Sequence, residues 1–415
     1  MNEPVGNRQS IIANPDLPLG GRRIALGVTG SIAAFKAADL CSKLRQAGAE
    51  VEVVMTPAAT QFVTPLTFQS LTGREVVVDM FSAREAEAHI EVARRADALV
   101  IAPATADCLA NLASGQTPDM VTLTALATTS PILVAPAMDS QMWEHPATRA
   151  NRETLTARGL AFVGPKEGRL ATGRMGAGRM AEPSDVLGAL RQLLGRTGGD
   201  LVGRSIVISA GPTQEPIDPV RYVGNRSTGK MGFAIAEAAR DRGAEVTVVA
   251  GPIALETPYG VSRVNVASVA QMLAALQEAT RDSDALIMAA APADFRPETT
   301  SDHKIKKTSA DAILTLTLTP NPDILATLPG GGVRVGFAAE TRNIAEYAKQ
   351  KLVSKRLHFI VANDVSAAGS GFGTETNEVL IFHDDGRVEE FPLQSKYAVG
   401  HAILDRVAAR LPIAD

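Results

Sequence analysis

The sequence predicts an α/β protein made of two doubly wound halves, and three observations predict it. Short apolar strands of about five residues alternate with amphipathic helical segments of about 10 to 15, the pattern of parallel sheets covered on both faces. The strand signals recur in the second half of the chain in the order in which they occur in the first. A length of 415 residues also exceeds one ordinary core, on the usual scale of roughly 100 to 200 residues per domain.

The first strand is Gly-Arg-Arg-Ile-Ala-Leu-Gly-Val-Thr-Gly at 21–30, and its counterpart is Gly-Arg-Ser-Ile-Val-Ile-Ser-Ala-Gly at 203–211. The second, Gly-Ala-Glu-Val-Glu-Val-Val at 48–54, is repeated as Gly-Ala-Glu-Val-Thr-Val-Val at 243–249, each preceded by a segment of helical period. The third, Ala-Asp-Ala-Leu-Val-Ile-Ala at 96–102, is repeated as Ser-Asp-Ala-Leu-Ile-Met-Ala at 283–289. Both halves are therefore expected to be Rossmann-like. Residues 1–20, with Pro4, Pro15 and Pro18 among polar residues, read as a poorly ordered lead-in. Leu-Gly-Arg-Thr-Gly-Gly-Asp at 194–200 lacks apolar periodicity and reads as a connection. The expected organisation is a lead-in at 1–20, one domain at 21–195, a linker at 196–202 and a second domain at 203–415.

Forty-one basic against 45 acidic residues give a net charge of −4. That balance argues against general nucleic-acid binding and leaves room for local basic pockets that take a phosphorylated small molecule. Cys41 and Cys108 are the only cysteines, which excludes a disulfide framework and a multi-cysteine zinc site. No apolar run approaches the roughly 20 residues that span a bilayer. Glu3, Pro4 and Asn7 stand where a signal peptide would carry a basic and then an apolar stretch. The expectation is a cytoplasmic protein with no membrane partner.

Doubly wound sheets bind ligands at the loops leaving the carboxyl ends of their strands. In the first half that edge holds Gly-Val-Thr-Gly-Ser-Ile-Ala at 27–33, whose small residues let a phosphate approach the amides at a helix N-terminus. The same residues also suit a tight turn with no ligand. Thr56 after the second strand and Pro-Ala-Thr-Ala-Asp at 103–107 after the third add hydroxyls and small residues, so three loops point to a nucleotide-type cofactor. His89, one of six histidines, opens the segment leading into the third strand; it is either a solvated helix-start residue or a general base at neutral pH.

In the second half, Gly-Asn-Arg-Ser-Thr-Gly-Lys at 224–230 imitates a P-loop, but Met231 occupies the place of the metal-binding hydroxyl and no apolar strand directly precedes it. Asp294 follows the strand at 283–289, where a carboxylate can hold Mg2+ or a nucleotide. Lys-Ile-Lys-Lys at 304–307 is in isolation a solvated basic turn. It stands with Asn-Pro-Asp-Ile at 321–324, Gly-Phe-Ala-Ala-Glu-Thr at 336–341, Lys351 and Lys355. Lysines in such a group suit a ligand rich in phosphate.

The order of Gly-Val-Thr-Gly-Ser-Ile-Ala, His-Ile-Glu, Ala-Pro-Ala-Thr-Ala-Asp, Pro-Ala-Met-Asp-Ser-Gln-Met-Trp at 136–143 and Gly-Ala-Gly-Arg-Met at 176–180 resembles the homo-oligomeric flavin-containing cysteine decarboxylases. From about residue 20 onward the chain resembles the bifunctional phosphopantothenoylcysteine decarboxylase/phosphopantothenate-cysteine ligase family of coenzyme A biosynthesis. The resemblance implies a flavodoxin-like first domain with FMN on Gly30, Ser31, Ile32, Thr56, Pro103, Ala104 and Thr105, and His89 as the active-site histidine. In that family the flavin oxidises the cysteinyl thiol to a thioaldehyde, CO2 leaves, and reduced flavin returns hydride to the enethiol. A tightly held flavin suits such redox-neutral chemistry better than a diffusible nicotinamide.

For the second domain the resemblance implies a CTP site of Ala289, Ala290, Asp294, Lys304, Pro322, Asp323, Ile324, Leu325, Phe337, Lys351 and Lys355, with Mg2+ at Asp294. 4′-Phosphopantothenate attacks the α-phosphate of CTP, Lys304 neutralising charge. Asn225 then serves conversion of the acyl-cytidylate by cysteine. Decarboxylase trimers joined through ligase dimers are also implied.

Two positions depart from the pattern. The family's carboxylate-binding Asn is Asp139 here, and an ionised Asp about 4 Å from a carboxylate costs on the order of 4 kcal/mol at an effective dielectric of 20. Asp139 is then protonated, paired with a base such as Arg174 or Arg179, or displaced. The family's proton-donating flap cysteine aligns with Thr172. The alternatives are a first domain that stops at the enethiol or acts on another cysteine-containing molecule, and a non-catalytic flavin-binding module.

Overall fold

A computed structural model describes residues 16–80, 88–169, 173–307, 309, 313–340, 344–364, 371 and 373–412. The chain divides into two units, 1–197 and 198–415.

The first unit follows its strand signals. Its elements in order are β1 (Arg23–Val28), α1 (Ala34–Gln46), β2 (Glu50–Met55), α2 (Pro65–Thr72), α3 (Ala88–Arg95), β3 (Ala98–Ala104), α4 (Ala106–Ser114), α5 (Met120–Ala127), β4 (Ile132–Pro136), α6 (Ser140–Glu144), α7 (Pro146–Ala157), β5 (Ala161–Phe162), the hairpin of β6 (Lys166–Arg169) and β7 (Met175–Arg179), and α8 (Pro183–Gly198). The five strands β2-β1-β3-β4-β5 form one parallel sheet in that order, the flavodoxin-like arrangement. All of β3 is buried, which is why it reads as an unbroken apolar run rather than an alternation. Residues 196–198, expected in a linker, form the last turn of α8; the glycines there hid a helix that Leu190 anchors from the buried side.

The second unit contains β8 (Ser205–Ala210), the hairpin of β9 (Gln214–Pro216) and β10 (Tyr222–Gly224), α9 (Lys230–Asp241), β11 (Glu245–Ala250), β12 (Ser262–Asn265), α10 (Val269–Ala279), β13 (Ala285–Met288), β14 (Phe295–Pro297), β15 (Leu318–Pro320), α11 (Ile324–Thr327), β16 (Val333–Glu340), α12 (Ile344–Ser354), β17 (Phe359–Asp364), β18 (Thr376–His383), β19 (Val388–Ser395) and α13 (Lys396–Ala408). Its eight-stranded sheet runs β12-β11-β8-β13-β16-β17-β18-β19. Period-two burial splits the core between two faces. Ile206, Ile208 and Ile287 pack with Phe233 and Ile235 of α9 and Val399 and Ile403 of α13. Val207, Leu286 and Met288 pack with Met272 and Leu276 of α10 and Leu352 of α12.

The sequence pattern foresaw a parallel sheet, and β12, β11, β8, β13, β16 and β17 are parallel, but β18 and β19 add an antiparallel edge. They are joined through Gly386 at φ +89°, a short connection that only antiparallel neighbours can use. Glu389 and Glu390 on the outermost strand keep that edge charged. Among the described residues no helix is long and apolar enough to cross a membrane.

Candidate active sites

In the first unit the strand order reverses between β1 and β3, and three loops meet there. The Thr29 hydroxyl, buried, donates to the Pro103 carbonyl at 2.7 Å and accepts from the Thr105 amide at 3.2 Å, locking the β1 loop to the β3 loop. The Thr56 amide donates to the Val28 carbonyl at 3.0 Å, and its hydroxyl accepts from the Ala59 amide. Gly30 is required by packing: a Cβ there would lie 2.6 Å from the Ala58 Cβ. Thr105 caps α4 by accepting from the Cys108 amide at 3.2 Å. The hydroxyls of Thr56 and Thr105 thus tie their own loops, the Thr29 hydroxyl joins two of them, and Ile32 stands 61% exposed beyond. The loop residues are small and uncharged and open on the start of a 13-residue helix, a donor set that fits a flavin phosphate at backbone amides.

His89 lies in the first turn of α3 and is half-buried. The other end of α3 is placed by the Asp97 amide on the Arg23 carbonyl at 2.7 Å, at the amino end of β1. His89 therefore lies toward the carboxyl ends of the strands, on the side of the three loops. Asp139 begins α6, its carboxylate accepting from the Gln141 amide at 2.9 Å; an Asn oxygen caps equally well, so the departure preserves the local fold. Arg179, one of its proposed partners, is paired with Glu182 at 2.6 Å. The β6–β7 hairpin presses on this loop: the Met138 amide donates to the Gly178 carbonyl at 3.0 Å, and a Cβ on Gly178 would lie 2.2 Å from the Met138 carbonyl oxygen. At the hairpin's foot buried Lys36 of α1 donates to the Met180 carbonyl and pairs with Glu182, both at 3.1 Å. Thr172 lies outside the described residues. Burial pushes the Cys41 thiol up to about 11 and the Cys108 thiol higher still, so neither is a ready proton donor.

In the second unit the sheet reverses between β8 and β13, and a cavity of about 250 Å³ opens at that edge. Of the residues singled out from sequence, Asn225, Ala289, Ala290, Phe337, Lys351 and Lys355 line it. The Asn225 amide donates to the carbonyls of Pro292 at 2.9 Å and Ala291 at 3.3 Å, which sets it beside the loop after β13. That loop is tied to the end of β8 by Ala291 on Gly211 and Ala293 on the Thr213 hydroxyl, both at 2.9 Å. The Asn321 amide donates to the Asp294 carbonyl at 2.8 Å and joins it to the loop that starts α11. Asp323 caps α11 and pairs with Lys355 at 3.0 Å.

Other expected residues stand apart from the cavity lining. Asp294 and Pro322 are exposed, and Ile324 and Leu325 are buried in the core, where only their backbone can meet a ligand. Among the described residues no three His, Cys, Asp or Glu side chains converge as a metal site; one carboxylate such as Asp294 suits Mg2+ only when phosphates supply further oxygens. Lys304 is exposed on a segment whose next residue is held at both backbone groups. The Ile305 amide donates to Asp218 at 3.2 Å, and its carbonyl accepts from Arg221 at 2.9 Å. Asp218 is buried and also accepts from the amides of Val220 and Arg221, both at 2.9 Å. The Arg221 guanidinium, with these amides, holds the Asp218 carboxyl well below the usual carboxylate range.

The P-loop resemblance ends in the geometry. The β10 strand before it is antiparallel to β9, and Lys230 donates to the Gly373 carbonyl at 2.9 Å and pairs with Glu375 at 2.5 Å. Sequence reading missed Asn363, Asn377 and Lys396 in the cavity wall. Lys396 is buried with its ammonium on the carbonyls of Gly371, Thr374 and Thr376 at 2.9, 2.5 and 3.1 Å, and burial lowers its pKa. Asn363 had a signal, since it ends the apolar run at 359–362 on the ligand-binding edge; Lys396 had none.

Residues 13–195 match the family described as flavoprotein, and residues 201–411 match the DNA/pantothenate metabolism flavoprotein C-terminal domain. The chain is 44% identical over 395 residues to a coenzyme A biosynthesis bifunctional protein CoaBC of Vibrio vulnificus, covering 94% of this chain and 98% of that protein. It is 46% identical over 398 residues to the Bacillus subtilis protein of the same description, with coverage again 94% and 98%. The Escherichia coli protein is 43% identical over 402 residues, at 95% and 98%. These matches span both units.

Proposed function

The chain belongs to the family of coenzyme A biosynthesis bifunctional proteins, and from that membership we propose that its second unit ligates cysteine to 4′-phosphopantothenate with CTP and its first decarboxylates the product to 4′-phosphopantetheine. The observation that carries the ligase reading is the convergence of Asn225, Phe337, Lys351 and Lys355 on one cavity at the sheet's reversal point. The flavoprotein match and the three small-residue loops between β1, β2 and β3 support FMN in the first unit.

In the ligase, the substrate carboxylate oxygen bonds to the α-phosphorus of CTP and pyrophosphate leaves. The amine of cysteine then bonds to the acyl carbon and CMP leaves. Lys351 and Lys355 offset phosphate charge in the cavity, Asp294 would hold Mg2+, which would neutralise further phosphate charge, and Lys304 stabilises charge in the first step. Asn225, held on the Ala291 and Pro292 carbonyls, serves the second step. In the decarboxylase, FMN on Gly30, Ser31, Ile32, Thr56, Pro103, Ala104 and Thr105 supplies reversible two-electron oxidation of the substrate thiol. His89 accepts a proton as general base, Asp139 stands at the carboxylate position and Thr172 at the donor position. We place the activity in the cytoplasm and in decarboxylase trimers joined through ligase dimers; exposed Ile32, Phe35 and Leu66 give the first unit an apolar surface to cover.

The two ligase steps separate by mutation. Lys304→Gln is expected to prevent acyl-cytidylate formation, whereas Asn225→Asp lets it form and slows its conversion by cysteine. Mass spectrometry of the quenched reaction checks this, and trapped intermediate in the first variant but not the second reverses the assignment.

A further inference from the structure

We infer that Asp218 is a positioning residue that fixes both ligase groups at once, a role resting on the assignment of Lys304 and Asn225 above. One buried carboxylate accepts hydrogen bonds from two directions in the chain. From one side come the amides of Val220 and Arg221 and the Arg221 guanidinium, with Nε at 3.0 Å. These residues lead directly into β10 and Asn225. From the other side comes the amide of Ile305, 87 positions away at 3.2 Å, whose carbonyl is taken by Arg221.

Ile305 is thus held at donor and acceptor together, so the backbone carrying Lys304 has a fixed origin although the lysine itself is exposed. A second tie lies just upstream, the Ser301 amide on the Ile217 carbonyl at 3.0 Å. Charge-assisted contacts to a buried carboxylate are the strong class of hydrogen bond. Among the described residues its hydrogen-bond partners are Val220, Arg221 and Ile305, none of them in the cavity wall, so its loss misplaces the two reacting groups more than it weakens CTP binding.

The test uses the full-length protein. Exchange of labelled pyrophosphate into CTP, with 4′-phosphopantothenate and Mg2+ but no cysteine, reads the first step. Consumption of preformed acyl-cytidylate by cysteine reads the second. Asp218→Asn is predicted to slow both on the order of 10²-fold, a much larger loss than that in CTP affinity. Either step at the wild-type rate in the folded variant, or an equal loss of CTP binding, overturns the inference. If Asp218→Asn does not fold, Arg221→Gln carries the test, because that side chain is 41% exposed and supplies the donor to Ile305. It is predicted to lower exchange by about 10-fold and to spare consumption by cysteine; wild-type exchange, or equal loss of both steps, contradicts it. Lys304→Gln and Asn225→Asp run alongside. If these keep their own steps, the assignment of the ligase groups falls; if they lose them and the clamp variants do not, only the role of Asp218 falls.

Discussion

A hydroxyl at position 172 is a far weaker acid than a thiol, whose usual pKa is about 8.5, and both cysteines in the chain are buried. Thr172→Cys is therefore expected to raise the yield of saturated 4′-phosphopantetheine over the product lighter by two hydrogens, read by mass spectrometry. Asp139 is the competing donor, and Asp139→Asn removes it while keeping the cap on α6. Saturated product alone from the wild type, formed equally fast by Asp139→Asn, rejects both ideas. A second residue bears on stability. Arg406 first, and His383 beside it, hold the Glu389 carboxyl at about 2 instead of 4.5. Because the folded value lies below the unfolded one, this contribution is complete above pH 4.5 and is lost as pH falls toward 2. Glu389→Gln is expected to flatten the dependence of Tm on pH across that window, and an unaltered slope would refute the coupling. Neither this network nor the Asp218 clamp was legible in the sequence, since each joins groups whose approach depends on the finished sheet and loops. Asn225, which lines the cavity, could be singled out because a motif of neighbouring residues surrounds it, and the motif around His89 makes that residue a candidate in the same way.

At the scale of elements, the repeated strands were legible because burial on both faces leaves an apolar run that periodicity detects, as in β3 and β13. The short β5, of two residues, and the β6–β7 hairpin, rich in Gly and charge, carry no such run. What fixes that hairpin is contact with the residues before α6, which local sequence does not encode. Gly178→Ala puts a Cβ against the Met138 carbonyl oxygen, a backbone atom that cannot rotate away. We expect it to lower stability of the first unit by about 1–3 kcal/mol and to impair decarboxylation while ligation is retained. Denaturant unfolding with the two activity assays checks this, and wild-type decarboxylation in the variant would show that the hairpin's seat is dispensable.

For the whole molecule, duplication of one strand grammar gives two sheets that diverge in their last strands, and each sheet places its loops at its own reversal point between strands. Two sheets imply two sites that fail separately: His89→Asn is expected to abolish CO2 release and spare ligation. The most direct measurement is product analysis of the wild-type protein and His89→Asn given 4′-phosphopantothenate, cysteine, CTP and Mg2+. The wild type is expected to give 4′-phosphopantetheine, CO2, CMP and pyrophosphate, and the variant to accumulate phosphopantothenoylcysteine with CMP and pyrophosphate. No cysteine adduct from the wild type, or loss of ligation together with CO2 release in a folded His89→Asn, would contradict this.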